Sequence, residues 1–230
     1  MIELIPKIIH YCWFGKNEKP ELACKCINSW KHYCPDYEII EWNEDNFDIN
    51  ANPYTKMCYG QKKYAFLSDY IRLIIIYKYG GLYFDTDVEV VKPFDNLLHN
   101  GAFIGFETKE YVNTGQGFGA EPNSPIVKQM IDEYDCLIDG THGTIGCPVL
   151  NTSAMEKYGF KMTGEYQTLD KVLLFPPDYF NPYDDATGRL HRTDNTYSIH
   201  WYGKSWMKKT RVIRNRIARV YHRCKERLKR

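Results

Sequence analysis

The sequence lacks a long apolar segment and a paired-cysteine motif. No stretch reaches the roughly 18 consecutive apolar residues of a transmembrane helix, so none is predicted to span a bilayer. Residues 1–7 lack the basic region and long apolar core of a signal peptide, so we expect a cytoplasmic protein. The eight cysteines include no Cys-x-x-Cys pair and match no zinc template. Cys24 and Cys26 leave a metal or redox pair open, although such thiols are more typical of small buried apolar groups.

The charge of the chain is nearly balanced, but its distribution is uneven. The net charge is +1, from 30 Lys and Arg residues against 29 acidic residues. Residues 204–230 hold 12 of those bases and a single acid, Glu226, so they carry +11 and the preceding residues carry −10. An acidic body with a basic end indicates an anionic partner surface, either a membrane or a nucleic acid.

The order of predicted elements indicates an α/β fold. The 230 residues, 43% of them hydrophobic, suit one domain with a substantial core. Strand, helix and strand alternate near the N-terminus, which favours a mostly parallel sheet covered by helices. The strongest helix covers residues 63–79; it is apolar around nearly its whole circumference, should be buried, and ends at Gly80-Gly81.

The remaining elements are predicted from shorter patterns. A turn at 143–148 is expected to open a helix with Pro148 in its first turn, and residues 43–52 are expected to form a loop. The other predicted strands are 7–14, 37–42, 82–84, 102–106, 116–121, 172–175 and 197–201, and the other helices are 20–33, 125–137 and 206–228.

Two carboxylates, Asp85 and Asp87, follow the short apolar strand at 82–84. They would point to the same side of a continuing strand, because side chains alternate with a period of two. Such a pair at the carboxyl end of a buried strand can hold a hard divalent cation, which would neutralise a departing pyrophosphate. Alone, an Asp-x-Asp triplet is equally typical of a solvated turn.

The preceding helix carries a second charged group. Ser68 and Arg72 lie four residues apart on one helix face, and Asp69 is within reach of Arg72. A carboxylate and a guanidinium inside so apolar a helix must be paired or bound to a ligand. A structural salt bridge and a functional site are both consistent with this pattern.

These two motifs together resemble a known family. The run Lys63-Tyr64-Ala65-Phe66-Leu67-Ser68-Asp69-Tyr70-Ile71-Arg72, followed by Tyr79-Gly80-Gly81-Leu82-Tyr83-Phe84-Asp85-Thr86-Asp87, is similar to the DXD-containing sugar-binding region of glycosyltransferase family 32. That family includes yeast α-1,6-mannosyltransferases and bacterial capsule and lipopolysaccharide enzymes, and it shares its core with the large glucosylating toxins. The opening residues 5–15 and Ser29-Trp30 also resemble it, so the resemblance covers residues 5 to about 95 and, more loosely, the C-terminal third.

The resemblance implies a GT-A fold, a Rossmann-like αβα sandwich with the metal motif at the carboxyl edge of the sheet. It implies that Asp85 and Asp87 bind Mn²⁺ or Mg²⁺ and that Asp69 and Arg72 hold sugar hydroxyls. Trp13 would lie beside the nucleotide base, where stacking is physically reasonable. The predicted catalytic residues are Asp69, Arg72, Asp85 and Asp87, and the predicted substrate-binding residues are Trp13, Phe14, Ser68, Tyr83, Thr86, Lys204, Ser205 and Trp206.

A third metal ligand is expected late in the chain. The segment 198–206 resembles the family's closing His and Ser-Trp segment, so His200 would complete a mixed oxygen and nitrogen site that suits Mn²⁺. A satisfied core histidine is the alternative. Lys204, Ser205 and Trp206 would then contact the diphosphate and close over the donor.

The resemblance also implies the reaction. It implies a retaining transfer of a hexose or N-acetylhexosamine from a nucleotide sugar, favouring UDP, to a glycan or lipid-linked glycan in capsule, exopolysaccharide or lipopolysaccharide synthesis. Attack would come from the front face while the metal and Arg72 stabilise the departing diphosphate. No second carboxylate stands out as nucleophile or base, and Glu107 and Asp170 remain loose possibilities.

The basic end has the pattern of an interfacial helix. Apolar residues recur on one stripe and bases fill most of the rest, as in helices that lie on anionic lipids. We therefore predict a glycosyltransferase domain at 1–206 and a basic amphipathic helix at 207–230 that attaches peripherally to the inner membrane face. A helix packed on the domain is an alternative, and nucleic acid is disfavoured because only Tyr221 offers aromatic interleaving.

A phosphatase and a non-catalytic binding module are the alternative functions. A haloacid-dehalogenase phosphatase also uses Asp-x-Asp after an apolar strand, but Glu89 stands where its Thr or Val belongs. A non-catalytic carbohydrate- or membrane-binding module is the alternative from another class. The intact group of Asp69, Arg72, Asp85 and Asp87 argues against it, because an inactive copy need not keep buried charges.

Overall fold

An eight-stranded sheet forms the centre of the protein, whose computed structural model describes residues 4–203. The strands are β1 (Ile8–Cys12), β2 (Glu38–Trp42), β3 (Gly81–Tyr83), β4 (Val88–Val90), β5 (Ala102–Phe106), β6 (Val112–Asn113), β7 (Phe118–Ala120), β8 (Gln167–Leu169), β9 (Val172–Phe175), β10 (Tyr183–Asp184), β11 (Arg189–Leu190) and β12 (Ser198–His200). The helices are α1 (Glu21–Tyr33), α2 (Pro53–Gly60), α3 (Tyr64–Tyr79), α4 (Pro125–Asp132), α5 (Cys147–Tyr158) and α6 (Pro177–Phe180), with one 3₁₀ turn at Asp95–Leu97. The predicted helix at 206–228 and the domain boundary at 206/207 lie outside the described residues.

The large sheet has the order β2-β1-β3-β7-β5-β9-β8, with β6 beside β5. β1 pairs in parallel with β2 and β3, and β5 pairs in parallel with β9. β7 is antiparallel to both β3 and β5, so β5 runs in the direction of β3. Five strands, β1, β2, β3, β5 and β9, therefore run the same way and end at one edge. The predicted mostly parallel α/β sheet is confirmed.

Helices cover both faces of this sheet. Neighbouring residues of one strand join different cores: Leu82 and Phe103 pack with α1 and β4, whereas Tyr83 and Ile104 pack with helices α2 to α5. This division follows from the alternation of side chains along a strand. The two cores give the αβα layering that the resemblance implies.

Helix α3 lies within the core as predicted, and two glycines end it. Gly80 and Gly81 have φ angles of 65° and 98°, which other residues rarely adopt. A Cβ on Gly80 would lie 2.7 Å from Pro122, and one on Gly81 would lie 2.6 Å from the carbonyl oxygen of Ile8. The chain can therefore turn tightly from α3 into β3, which places the Asp85 segment beside the helix that carries Arg72.

Several element bounds differ from the sequence-based expectation. α4 ends at Asp132 rather than residue 137, because residues 134 and 137 donate to carbonyls only three positions back. α2 lies beyond the predicted loop, and its signal was the capping box formed by Asn52 and Thr55 with Pro53 in the first turn. Of the two thiols in α1, Cys26 is buried and Cys24 is exposed. No helix within residues 4–203 is long and apolar enough to cross a bilayer.

Candidate active site

The site begins where β3 ends. The strand does not continue through the two carboxylates; it turns, with the Asp85 N–H donating to the Gly115 carbonyl (2.9 Å) and the Val88 N–H donating to the Asp85 carbonyl (3.0 Å). After this turn β4 pairs antiparallel with β12, with His200 opposite Val88. That pairing brings His200 to Asp87 across more than a hundred residues of sequence.

Asp85, Asp87 and His200 form one cluster. One ligand atom from each lies within 4.8 Å of the other two. The His200 Nε2 atom is 3.3 Å from Asp87 Oδ1, and the Gly203 N–H donates to Asp87 Oδ2 at 2.7 Å. His200 is 7% exposed, and its Nδ1 atom has no hydrogen-bond partner within the described residues. The sequence-predicted ligands are thus adjacent in space.

Arg72 lies beneath this cluster and holds two carboxylates. Its Nη2 atom is 2.9 Å from Asp69 Oδ1 and 2.8 Å from Asp85 Oδ1. The Arg72 guanidinium also lies 4.7 Å from the centre of the Tyr83 ring, and the Tyr83 hydroxyl donates to Asp85 Oδ1 at 3.2 Å. Because Arg72 is 2% exposed, its visible role is to position the carboxylates. Its predicted contact with sugar hydroxyls stays a prediction.

A polar layer behind Arg72 completes its contacts. Its Nη1 group donates to Thr114 Oγ1 at 3.3 Å and to Cys147 Sγ at 3.6 Å. Asn151 Nδ2 donates to the same Thr114 oxygen at 3.0 Å. Cys147 begins α5, followed by Pro148, so the predicted turn into a helix is confirmed. The sequence patterns gave Cys147 and Thr114 no role in the site.

Gly115 allows the closest approach of backbone to this group. A Cβ at that position would lie 2.0 Å from Asp85 Oδ2 and 3.0 Å from Arg72 Nη1. Any side chain there would displace the Asp85 carboxylate. No local pattern in the sequence marks this role of Gly115, because the role depends on contact with the distant Asp85.

The ionisation of the cluster is strongly perturbed. Burial raises the pKa of Asp85 to about 6, with Arg72 opposing the shift and Asp87 adding to it. Burial also opposes the charge on Asp87, but His200 and the Gly203 N–H outweigh it and lower the pKa of Asp87. Burial lowers the pKa of His200, but Asp87, Asp85 and Glu107 together raise it by more, so the net shift is upward. Burial raises the pKa of Asp69 as well.

The residues present fit a divalent cation. Three carboxylates, Asp69, Asp85 and Asp87, face one guanidinium, so the group has a net charge of −2 when His200 is neutral, as a metal ligand must be, and −1 when His200 is protonated. Uncompensated charge in a buried site is costly, and a cation with two positive charges balances it. Two carboxylate ligands and one imidazole are donors that Mn²⁺ accepts.

The motif Ser29-Trp30 supports the cluster from the other side of the sheet. The Trp30 indole N–H donates to the Val88 carbonyl at 2.7 Å, and Ser29 Oγ accepts from the Val90 N–H at 2.9 Å. Both bonds hold β4, the strand that follows Asp87. These two residues therefore fix the turn that presents the carboxylates.

The other predicted substrate-binding residues lie at varied positions. Trp13 follows β1 at the shared strand edge and is partly buried, with its indole N–H donating to the Asn17 carbonyl at 2.7 Å. Phe14 is 5% exposed and packs edge-on against Phe47, so the structure places its ring in the core rather than in the metal cluster. Ser68 and Thr86 are partly buried. Lys204, Ser205 and Trp206 lie outside the described residues.

The two loosely considered carboxylates lie in different places. Glu107 follows β5 at the strand edge shared with Asp85, and its Oε1 atom accepts from the Tyr202 hydroxyl at 2.9 Å. The Tyr202 ring stacks on His200 with 4.1 Å between centroids. Asp170 instead lies on the turn between β8 and β9, where its carboxylate accepts from the Tyr158 hydroxyl at 3.5 Å. Only Glu107 of the two contacts the surroundings of the cluster.

The fold and this site define a GT-A-type α/β protein with a DXD motif. The solved structure of the PaToxG glycosyltransferase superposes with a TM-score of 0.56 at 18% identity, covering 68% of this chain and 70% of that chain. Residues 20–104 match the model of the family described as "Glycosyltransferase sugar-binding region containing DXD motif". The matched segment contains Arg72, Asp85 and Asp87, the residues on which the resemblance seen in the sequence rests.

Two curated relatives are similar to part of this chain. Inositol phosphoceramide mannosyltransferase 1 of Schizosaccharomyces pombe is 30% identical over 141 residues, which are 56% of this chain and 43% of that protein. The lactosylceramide 4-alpha-galactosyltransferase of Pongo pygmaeus is 28% identical over 160 residues, 60% of this chain and 67% of that protein. The chain spans less than half the length of the first relative.

Proposed function

We propose that the protein is a metal-dependent, retaining glycosyltransferase that moves a hexose or N-acetylhexosamine from a nucleotide sugar, UDP-linked, to a glycan acceptor. The observation that carries the proposal is the cluster of Asp85, Asp87 and His200, held by Arg72 at the carboxyl edge of the sheet. Ligands bind at this edge in open α/β sheets. A buried net negative charge there calls for a cation, and a cation there suits an anionic diphosphate.

The balance of the reaction assigns tasks to the chain's own residues. The acceptor hydroxyl oxygen forms the new bond to the anomeric carbon, the bond to the diphosphate oxygen breaks, and the hydroxyl proton is released. Asp85, Asp87 and His200 would hold Mn²⁺ or Mg²⁺, which when bound would neutralise charge on the leaving diphosphate. Arg72 keeps Asp85 oriented, and Asp69, 13% exposed, is the carboxylate placed to contact donor hydroxyls.

The layout of the sheet supports the direction of the donor. Trp13 follows β1, next to β3 in the sheet, so a nucleotide base beside Trp13 would leave its diphosphate near Asp85. Lys19 Nζ lies 5.7 Å from the Trp13 ring centre and forms an ion pair with Glu41 at 2.6 Å, so its charge is balanced locally. The position of Trp13 at the strand edge is therefore the support for this direction of the donor.

The acceptor is proposed to be lipid-linked. The relatives' names describe transfer of mannose or galactose to ceramide-linked groups. A lipid-linked acceptor lies at a membrane surface, and the basic segment 207–230 suits anionic lipid there. We place the reaction at the inner face of a membrane, in synthesis of a capsule, exopolysaccharide or lipopolysaccharide. Sedimentation with phosphatidylglycerol vesicles, compared with phosphatidylcholine vesicles and with a chain truncated after residue 206, tests this attachment.

Heat stability of the purified chain tests the donor. A ligand that binds the folded state raises its unfolding temperature by mass action. With UDP-, GDP- and CMP-sugars in turn, we expect one nucleotide class to stabilise the protein in Mn²⁺ and not in EDTA. The Asp85→Asn variant should lose this stabilisation. The control variant Asp36→Asn should keep it, because Asp36 is exposed and lies just before β2. Stabilisation by none of the nucleotides would favour the non-catalytic module instead.

A further inference from the structure

A cleft of about 730 Å³ opens beside the metal cluster. Its walls come from the segments that follow β5 and β9, the next strands along the same sheet edge. Glu107 follows β5, and Asp178 and Asn181 follow β9. The volume lies within the range of sites for small organic ligands. The edge thus presents, in order, the Trp13 side at β1, the metal cluster at β3 and this cleft at β5 and β9.

The lining of the cleft is rich in carboxylates. Glu107, Asp178, Asp184 and Asp185 line it together with Asn181 and Tyr202, and His191 is the one basic side chain among the described residues that line it. A wall of this kind repels phosphate and carboxylate groups. Carboxylate and amide oxygens accept hydrogen bonds well from the hydroxyls of a neutral sugar.

Asn181 supplies an unused acceptor within this cleft. It is 8% exposed, and its Nδ2 group donates to the Glu107 carbonyl at 3.0 Å and to the Tyr202 hydroxyl at 2.8 Å. Its Oδ1 atom has no hydrogen-bond partner within the described residues. This oxygen is enclosed by protein in the ligand-free cleft, so a ligand hydroxyl would reach it only after a small shift of the wall, and its donation would then relieve the cost of the missing partner.

Tyr202 connects the cleft to the metal cluster. It lines the cleft, donates to Glu107, and stacks on His200. A group bound against Glu107 and Asn181 therefore lies one tyrosine ring from a predicted metal ligand. Two other carboxylates of the cleft already accept hydrogen bonds from protein groups. Asp184 accepts from a backbone N–H and a side-chain hydroxyl of the β10–β11 turn, and Asp178 accepts from the Thr193 hydroxyl at 2.8 Å.

We propose that this cleft is the acceptor subsite and that it selects a neutral, polyhydroxylated sugar over an anionic one. Glu107 and Asn181 bind acceptor hydroxyls, and Asp178 contributes to the rejection of anions. The inference rests on the proposed transferase function, but it adds the charge of the acceptor sugar and the residues that read it. The subsite consists of protein groups, so its occupation does not require the metal.

Binding of small glycosides to the full chain tests the subsite without any donor. The probes are methyl β-D-galactopyranoside and methyl α-D-mannopyranoside, each compared with its C6 carboxylate counterpart. Saturation-transfer NMR in EDTA should show binding of at least one neutral glycoside and weaker binding of its acid. Binding of neither neutral glycoside, or equal binding of the acids, would overturn the proposal.

Two variants locate the binding. Glu107→Gln keeps an oxygen that can accept from Tyr202 and should weaken neutral-glycoside binding about tenfold, because a charge-assisted hydrogen bond is lost. Asp178→Asn, on the partly exposed rim, should reduce the preference for the neutral glycoside by roughly threefold. Asp36→Asn serves as the control, and unchanged binding in both cleft variants would contradict the subsite.

Heat stabilisation by the nucleotide-sugar donor distinguishes failure of the transferase proposal from failure of the acceptor-subsite proposal. Stabilisation by a nucleotide sugar in Mn²⁺ should be the same in Glu107→Gln as in the parent chain, which also shows that the variant folds. If no nucleotide sugar stabilises the parent chain, that result would count against the transferase function itself. Retained donor stabilisation with no effect of the cleft variants on glycoside binding would count against the subsite alone.

Discussion

Arg72 and Asp85, thirteen residues apart in the chain, share a 2.8 Å ion pair that ties helix α3 to the end of β3. The same Arg72 nitrogen also binds Asp69, so one guanidinium balances only one of two carboxylates. The excess negative charge extends through Asp85 to Asp87 and His200. This pair therefore joins the structural core to the predicted metal site.

Replacing Arg72 should destabilise the fold. In Arg72→Met the two carboxylates lose their buried cation, and breaking a buried pair from one side typically costs about 3 kcal/mol or more. Urea unfolding in EDTA should therefore show a lower midpoint. The control is Arg192→Met, whose side chain is exposed. An unchanged midpoint in Arg72→Met would mean that the pair contributes little to stability.

Adding one methyl group at Gly115 should weaken metal binding more than folding. The new Cβ of Gly115→Ala would meet Asp85 Oδ2, so the carboxylate must move. Changes around metal ligands typically cost on the order of tenfold to a hundredfold in affinity, and we expect a loss in that range for Mn²⁺. Electron paramagnetic resonance of free Mn²⁺ measures it.

Gly60→Ala is the matched control for that change, since nothing lies within 4 Å of a Cβ there. It should leave Mn²⁺ affinity unchanged. Equal Mn²⁺ affinity in Gly115→Ala and Gly60→Ala would show that Asp85 is not a ligand or that its position is not critical.

Acid should destabilise the protein through His10. Burial lowers the pKa of His10 to about 4, although a hydrogen bond to the Gly80 carbonyl opposes the shift. The Trp42 indole donates to His10 Nδ1 at 3.0 Å, which requires the neutral ring. Between pH 6.5 and 4, His10 is therefore protonated in the unfolded chain but neutral in the folded chain. The free energy of unfolding falls as the pH drops through that range.

The size of this effect is about 3 kcal/mol, from a pKa shift between 6.5 and about 4. Urea unfolding from pH 7 to 4 measures it as the difference between the parent chain and His10→Gln, which does not titrate. His32→Gln, at an exposed position, should follow the parent curve. Identical pH dependence in His10→Gln and the parent would refute the assignment.

The sequence predicted the elements whose patterns are long and local. Helix α3 and its end at Gly80 follow from apolar residues and two glycines, and Ala102–Phe106 was predicted to the residue. The carboxylates of the site were found because Asp85 and Asp87 directly follow a strand. Short elements such as α2 and β4 were missed, since three to eight residues carry little periodic signal.

The site residues that the sequence patterns did not predict depend on contacts between distant parts of the chain. Gly115 matters only because Asp85 lies against it, and Tyr202 matters only because Glu107 and His200 lie beside it. Neither relationship leaves a local pattern. Phe14 lies beside a family motif and its ring packs in the core, while its predicted contact with substrate stays a prediction.

The central claim is that Asp85 and Asp87 serve transfer chemistry through a bound cation. The most direct measurement is the rate of nucleoside diphosphate release from the nucleotide sugar that stabilises the protein, in Mn²⁺, for the parent chain, Asp36→Asn and the double variant Asp85→Asn/Asp87→Asn. We expect the double variant to remain folded and to release the diphosphate on the order of a thousandfold more slowly, because charge on the leaving group is no longer stabilised. A double variant that releases the diphosphate as fast as Asp36→Asn would contradict it.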